Sequence, residues 1–493
     1  MVKANETQSV PLELRCETQT SPDSTEQVKT TDKLPKKLSV YIPENLNIDL
    51  ILKENPPTFR FHRDYFLYLI HLVTDIPTRK KDEEYFYVPF YSPLIQRRVR
   101  DYKSYLKYLV ENNVLLEKRQ YIPGKTSRRY RFTDKYQTDI RLSYITKSTL
   151  IKSILKFINL DYKLICEDQT LTDSGNLDYL VKWFDGRLKV DFISAKKYLQ
   201  KLRDKEIKEY NFFTANNPLN AQAKYNCRLL VLMKLHRQEF IHSIDSTAGR
   251  LHTILTQLKG DLRQFITFDG KSLVAIDITN SQPYLSTVLF HHENYKANDL
   301  LPRIKKYNNS YHSKKDYQNF KPYYLSEKIK YSTVHEDVKQ YIEIVKSGQL
   351  YENFGQILEL KGLMKTDKPF RKQAKEIIFS SIFSPNKSIG YNEPMKIFKE
   401  HFPNVFEIYR SVKEKEHRTL ACVLQNLEAD LVLHQACKII SELRPNAPLF
   451  TLHDAIITTD EHKDFVKEIL HNVLLNAIGI PPNLKFEEWK KVA

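Results

Sequence analysis

Long apolar runs are missing from this chain: no stretch approaches the roughly 18 apolar residues of a membrane-spanning helix. The N-terminus, MVKANETQSV, is polar and has no apolar core of the kind that marks a signal peptide. These two absences lead to the expectation of a cytoplasmic protein with no membrane partner. Cysteine is scarce as well. Cys16, Cys166, Cys227, Cys422 and Cys437 are scattered and never form a CxxC pair, so neither a zinc module nor a disulfide framework is indicated. Reduced thiols are expected.

What the chain has in excess is positive charge. It carries 77 Lys and Arg against 60 Asp and Glu, a net charge of +17 over 493 residues. Such an excess suits a polyanion, because neutralising phosphates releases condensed counterions. Thirty Tyr and 26 Phe add stacking surfaces. The plainer alternative is a basic surface that is only solvated.

The length allows about two to four domains, and four segments are expected. Residues 1–37 are rich in Thr, Ser, Gln, Glu and Lys without an apolar period, the composition of a disordered tail. Residues 46–137 read as helix (His62–Leu72), short strand and helix (within Tyr87–Val99), and a second helix on which Tyr102, Tyr105, Leu106, Leu109 and Val110 recur at helical spacing. Lys103 and Lys107 then lie on another face. A basic hairpin follows over Val114–Phe132, with Lys125 at its Pro-Gly-Lys tip and Arg128 and Arg129 on its return strand. That order resembles a winged helix, and Tyr91–Lys135 holds twelve Lys and Arg against four Asp and Glu, which suits DNA; a protein-contact use is the alternative. Gly124-Lys125-Thr126 is no phosphate-binding loop, since Arg119 stands where the first Gly is needed and strands flank it. Residues 140–245 are expected to be mainly helical, a thumb-like or supporting region. Residues 246–493 carry the chemistry, with an insertion at 303–331 that has eight Lys and Arg, two Asp and Glu and seven aromatics. That mixture suits a surface following a nucleic-acid strand, or else a solvated loop.

Two stretches in the last segment share one character. Lys271–Phe290 begins as a buried-strand run, places Asp277 at its tip, and continues through Ser281, Gln282 and Pro283 into a helix beginning near Tyr284. Pro448–Thr459 sets His453-Asp454 between two strand-like runs. Two carboxylates at strand tips, far apart in sequence, meet the requirement of a two-metal phosphoryl-transfer site. Read alone, the first stretch also fits a helix-capping region with an incidental Asp. Further on, Arg371, Lys375, Phe379 and Phe383 recur every four residues, each ~40° further round a helix, so all four share one side. Two cations and two aromatics on one face suit a nucleoside triphosphate; simple amphipathicity would instead bury the two Phe and leave the cations solvated.

Taken in order, these motifs resemble the palm and fingers of family A (Pol I-like) DNA polymerases over about Asp245–Trp489. Ser246–Leu251 is similar to the family's T-x-T-G-R-L segment, Asp277 with Ser281-Gln282 to its first palm motif, and the Arg371–Phe383 quartet to its fingers helix. Gln425–Asp430 is similar to Q-G-T-A-A-D, and His453-Asp454 to the last palm motif. The resemblance implies an α+β, right-hand polymerase fold. It also implies two Mg²⁺ ions, with Mn²⁺ as a substitute, held by Asp277, Asp454 and the Ile278 carbonyl. Lys375 and Arg371 would hold the triphosphate, Phe379 and Phe383 the nucleotide, and Arg250, Gln425 and His453 the primer-template. The implied partners are a DNA primer-template and dNTPs, in a plasmid, phage or similar replicon.

The chain departs from the pattern in several places. Three residues separate Asp277 from Ser281 where the family has one. The Glu that excludes a ribose 2′-hydroxyl is replaced by Tyr284 or Gln282, depending on the register chosen. Ala455 stands for an acid and Ser384 for a Gly. A primase or single-subunit RNA polymerase, and a non-catalytic replication initiator, remain alternatives. No Asp-x-Glu strand motif with later paired Asp occurs in the first half, so no 3′→5′ proofreading is expected.

Overall fold

The structure, a computed structural model, describes residues 35–78, 87–118, 127–156, 177–209, 218–245, 247–291, 294, 335–364 and 369–490. Nearly all of the expected tail, the hairpin tip with Lys125, Ser246 and the insertion at 303–331 lie outside the described residues. What is described is mixed α and β, with two hydrophobic cores.

The smaller core lies within residues 38–155. Strand β1 (Leu38–Pro43) leads to helix α1 (Arg63–Thr78), strand β2 (Val88–Phe90), helices α2 (Ser92–Gln96) and α3 (Tyr102–Glu111), and strands β3 (Leu115–Glu117), β4 (Arg128–Phe132) and β5 (Ile140–Ile145). Strands β2, β4 and β3 form one antiparallel sheet in that order. Helix α3 buries Tyr102, Tyr105, Leu106 and Leu109 and leaves Lys103 and Lys107 exposed, as its 3.6-residue period dictates. Helix α1 runs six residues past its expected end at Leu72, because the apolar face continues through Val73 and packs against the larger core's helices.

Residues 140–245 are less uniformly helical than their pattern implies. Strand β5 opens them by pairing antiparallel with β1, Leu38 opposite Ile145 and Pro43 opposite Ile140. The side chains of β1 alternate between the cores: Val40 and Ile42 enter the smaller one and Tyr41 the larger. No helical period could reveal such a ribbon, since its partner lies about 100 residues away. Strand β6 (Leu188–Val190) and helices α4 (Phe192–Lys208) and α5 (Pro218–His236) follow, α4 packing along α5.

The larger core is organised by an antiparallel sheet. Strands β7 (Ser243–Ile244) and β8 (Leu251–His252) make a small hairpin before β9 (Ile266–Phe268) and β10 (Lys271–Ile278). Helices α6 (Ser281–Ser286), α7 (Leu350–Leu360), α8 (Phe370–Phe383), α9 (Pro403–Val412) and α10 (Arg418–Ala429) intervene, and α10 continues as a π-helical stretch, Asp430–Cys437. Strands β11 (Phe450–Leu452) and β12 (Ala455–Thr459), helix α11 (Lys463–Ile478) and strand β13 (Leu484–Glu488) close the chain. The sheet order is β11-β12-β10-β9-β6, with β13 also on β10. Strand β10 is central: Leu273, Val274, Ala275 and Ile276 are buried on both faces, which accounts for its unbroken apolar run.

The two cores are joined by a buried ion pair between Asp75 on α1 and Lys234 on α5. Removing one partner strands a charge away from water, which costs about 3–5 kcal/mol, whereas replacing both with apolar groups is close to neutral. Asp75→Ala is therefore expected to lose about that much stability in denaturant titration, and Asp75→Leu with Lys234→Met to recover most of it.

Candidate functional site

Strand β10 and the β11–β12 hairpin bring two carboxylates together. Asp277 lies opposite Ala455 in the β10–β12 register, and the Ile278 amide donates to the Asp454 carbonyl at 3.4 Å. The hairpin turns on only two residues, His453 and Asp454, between Leu452 and Ala455. So tight a turn needs a positive φ at its first position, and His453 has φ 54°. Asn280, between Asp277 and helix α6, has the same φ of 54°. Left-handed non-glycine residues cost on the order of 1–3 kcal/mol each and cluster at functional sites. Here one follows the first carboxylate and one precedes the second.

The carboxylates stand in a cleft of about 340 Å³ whose walls include Arg250, Asp277, Gln282, Arg371, Lys375 and Asp454. Burial, then the neighbouring charges of Asp454 and Glu487, push the Asp277 carboxyl up to about 7, against weaker opposition from Lys375 and Arg263. Burial pushes His453 down to about 4, and its Nδ1 has no hydrogen-bond partner among the described residues.

Helix α8 forms the facing wall. Arg371 is paired with Glu352 of α7, while the Lys375 ammonium lies 5.4 Å from the Phe379 ring centre and 5.9 Å from that of Tyr351. Gly355 lets α7 and α8 approach: a Cβ there would meet the Phe370 ring at 2.7 Å. The C-terminal end of α8 is held by Lys413, whose buried ammonium donates to the carbonyls of Ile382 (2.6 Å) and Ser384 (3.0 Å), and whose pKa burial lowers to about 8. Phe383 packs edge-on against Phe379, 5.7 Å between ring centres, and against the core; it is not on the cleft wall.

The third wall is built on Glu428 of α10. Its carboxylate is almost fully buried and accepts two bonds from the Arg250 guanidinium at 2.9 Å and one from the Gln282 amide at 2.7 Å. Burial pushes it up to about 7 despite Arg250. Arg250 is aimed by the loop before it. The Asp245 carboxylate accepts from the amides of Thr247, Ala248 and Arg250, and Gly249 adopts φ 65° where the chain passes Asn426 and Ala429.

Of the residues expected at the site, the fold brings together Arg250, Asp277, Ile278, Gln282, Arg371, Lys375, Phe379, His453 and Asp454. It turns three others elsewhere: Phe383, as described above, Tyr284 and Gln425. Tyr284 is buried, its hydroxyl donating to the Ile480 carbonyl at 2.7 Å, so as a nucleotide contact it is corrected to a core residue. Gln425 is half-buried and off the cleft wall; on the same helix, Glu428 is the residue that reaches in. In the smaller core, Lys103, Lys107, Arg128 and Arg129 stand far along the chain from this cleft. Lys107 pairs with Glu111 at 3.6 Å and Arg128 with Glu117 at 2.7 Å. Sequence reasoning did not select Glu428, Tyr351, Asn280 or Lys485 for the site. Glu428 had a signal, an acid on the apolar side of a helix, which must find a cation when buried.

The donor set suits a hard divalent cation. Among the described residues no three His, Cys, Asp or Glu side chains form a metal cage. Mg²⁺ is typically bound by one or two carboxylates together with substrate phosphates and water. Asp277 and Asp454, mutually repelling and partly desolvated, have the chemistry such a site would need.

Because Asp277 titrates near 7 in the folded protein and at 3.8 when unfolded, the metal-free fold takes up a proton between those values. Its stability contribution is intact below the unfolded value and is lost as pH rises towards 7. Asp277→Asn is accordingly expected to raise the metal-free melting temperature at pH 8 and to leave it unchanged near pH 4, as read by thermal unfolding in chelator.

No family model matches the chain, and no curated protein sequence matches it. Among solved structures it is similar to the POL domain of Pol1 from M. smegmatis, in complex with DNA primer-template and dNTP, with a TM-score of 0.34 and 11% identity over 70% of this chain and 76% of that one. A likeness of that degree leaves the reading of the cleft to the cleft's own residues.

Proposed function

We propose that this chain is a template-directed nucleotidyltransferase, a DNA polymerase of the family A kind that extends a primer 3′-hydroxyl with dNTPs and has no proofreading activity. The observation that carries the reading is the meeting of Asp277 and Asp454 at adjacent strand tips, across one cleft from Arg371, Lys375 and Phe379. Two neighbouring carboxylates facing two cations and an aromatic ring are the parts that phosphoryl transfer to a hydroxyl needs.

In this reading Asp277 and Asp454, with the Ile278 carbonyl, would hold two Mg²⁺ ions, or Mn²⁺ in their place. Those ions, when bound, supply the charge that activates the 3′-hydroxyl and stabilises the pyrophosphate leaving group. Lys375 and Arg371 hold the triphosphate, and Lys375 offsets charge on the leaving oxygens. Phe379 packs against the nucleotide. Arg250, fixed by Glu428, and His453, fixed by its two-residue turn, position the primer terminus. Two observations bear on the sugar. Phe383 has no hydroxyl, and the hydroxyl of Tyr284 is spent on Ile480, so neither offers a contact to a ribose 2′-hydroxyl. Deoxynucleotides are the expected substrate.

The helix, strand, helix, helix, strand, strand order of α1–β4, with its β2-β4-β3 sheet, supports reading that unit as a winged helix. Exposed Lys103 and Lys107 on α3 would then face duplex phosphates. Replacing both with Ala is expected to weaken duplex binding about equally for all sequences and to lower the salt slope by roughly two, one per lost phosphate contact.

The decisive assay is extension of a labelled primer on a DNA template with Mg²⁺, offering dNTPs or NTPs separately. Asp277→Ala and Asp454→Ala are each expected to cost at least ~10³-fold in rate, equivalent to several kcal/mol of barrier. Wild type and both variants equally inert, while still binding DNA, would sink the catalytic reading in favour of a DNA-binding initiator.

A further inference from the structure

Among the described residues, four basic side chains of Arg and Lys type line the cleft: Arg250, Arg371, Lys375 and Lys485. Two of them are already neutralised, Arg250 by buried Glu428 and Arg371 by Glu352. Among the described residues, Lys375 and Lys485 have no carboxylate within ion-pairing reach. They stand on different walls, one helical and one in the sheet. Lys375 projects from helix α8, whereas Lys485 is on strand β13, directly opposite Asp277 in the β10–β13 register. Cross-strand partners share a face of the sheet. Asp277 is thus flanked on that face by Ala455 from β12 and by Lys485 from β13. Next along β13 on the same face, Glu487 is occupied by Arg263 at 2.9 Å, so among the described residues Lys485 is the open cation of the cleft floor.

We propose that Lys485 is a positioning residue that binds a phosphodiester of the primer strand next to its 3′ end. This rests on the polymerase reading. In-line displacement puts the nucleophile opposite the leaving group. Arg371 and Lys375 lie on the helix wall and take the leaving phosphates. The strand carrying the nucleophile therefore approaches from the sheet, where the anion nearest its terminal hydroxyl meets the cation beside Asp277. A triphosphate already served from α8 has no need of a second lysine across the cleft.

The test uses the full chain with Lys485→Ala and Lys485→Arg, measuring binding of a fluorescent DNA primer-template by anisotropy over a salt series, and the nucleotide KM in primer extension. The expected result for Lys485→Ala is a Kd raised about tenfold, the size of one charge-assisted hydrogen bond, and a salt slope smaller by roughly one. The nucleotide KM should be unchanged, and Lys485→Arg should restore most of the binding. Unaltered binding and slope would mark Lys485 as a solvated edge-strand residue and overturn the proposal. A raised nucleotide KM with unaltered DNA binding would also overturn it, by assigning the lysine to the triphosphate. If the wild type binds primer-template but incorporates nothing, the polymerase reading falls, and the binding measurements still decide the role of Lys485. Since Lys485 is exposed at the sheet edge, its replacement leaves the core intact, which equal melting temperatures will verify.

Discussion

The antiparallel pairing of β10 with β12 is the constraint on which the cleft depends. It sets Asp277 beside the two-residue turn that carries Asp454, and it holds two carboxylates close where water is only partly available. Repulsion between like charges in such a place has to be met by nearby cations. The fold supplies helix α8 across the gap, with Lys375 near enough to favour the ionised form of Asp277. Both turns beside the acids adopt left-handed backbone at non-glycine residues, His453 and Asn280. Strain of that kind persists only where surrounding structure over-determines it. Here the six-stranded sheet and its apolar core provide that determination.

A second layer of organisation concerns which charges are left free. Glu428 lies at the junction of α10 with the π-helical stretch, and it binds both Arg250 and Gln282. It converts a mobile arginine into a fixed donor and fixes the orientation of the Gln282 amide through its Nε2. Glu352 does the same for Arg371. Among the described residues, the cleft therefore presents a graded set of cations, two clamped and two open, rather than a diffuse positive surface. Lys413 acts at the far end of α8, where a buried ammonium on two terminal carbonyls keeps the helix from fraying. In the proposed mechanism these are the supports that let Lys375 and Phe379 keep a constant place relative to the acids.

The smaller core illustrates a different kind of legibility. The periodicity of α3 correctly separates Tyr105, Leu106 and Leu109 from Lys103 and Lys107, because burial on a helix follows local spacing. The β1–β5 ribbon has no comparable signal. Strand β5 runs directly into helical-looking sequence, and its partner stands at the very start of the described chain. Alternation along β1 sends neighbouring residues into two different cores, so neither face reads as simply apolar or polar.

The residues that make up the cleft were largely evident from local pattern. Strand-tip acids at Asp277 and Asp454, and the four-residue recurrence of Arg371, Lys375 and Phe379, are properties of short stretches, and helical and strand geometry carry them into space without further information. What local pattern could not decide is how those stretches meet. Tyr284 sits two residues from Gln282, yet Ile480, nearly two hundred positions later, takes its hydroxyl into the core. Phe383 shares a helix face with Phe379 but lies a turn too far to reach the cleft. Glu428 and Lys485 enter because one helix is buried against Arg250 and one edge strand takes a particular register on β10. Spacing along the chain determined which side chains share an element's face. Burial and register, which arise only from pairing distant segments, decided which of those faces meet and which charges remain free to bind.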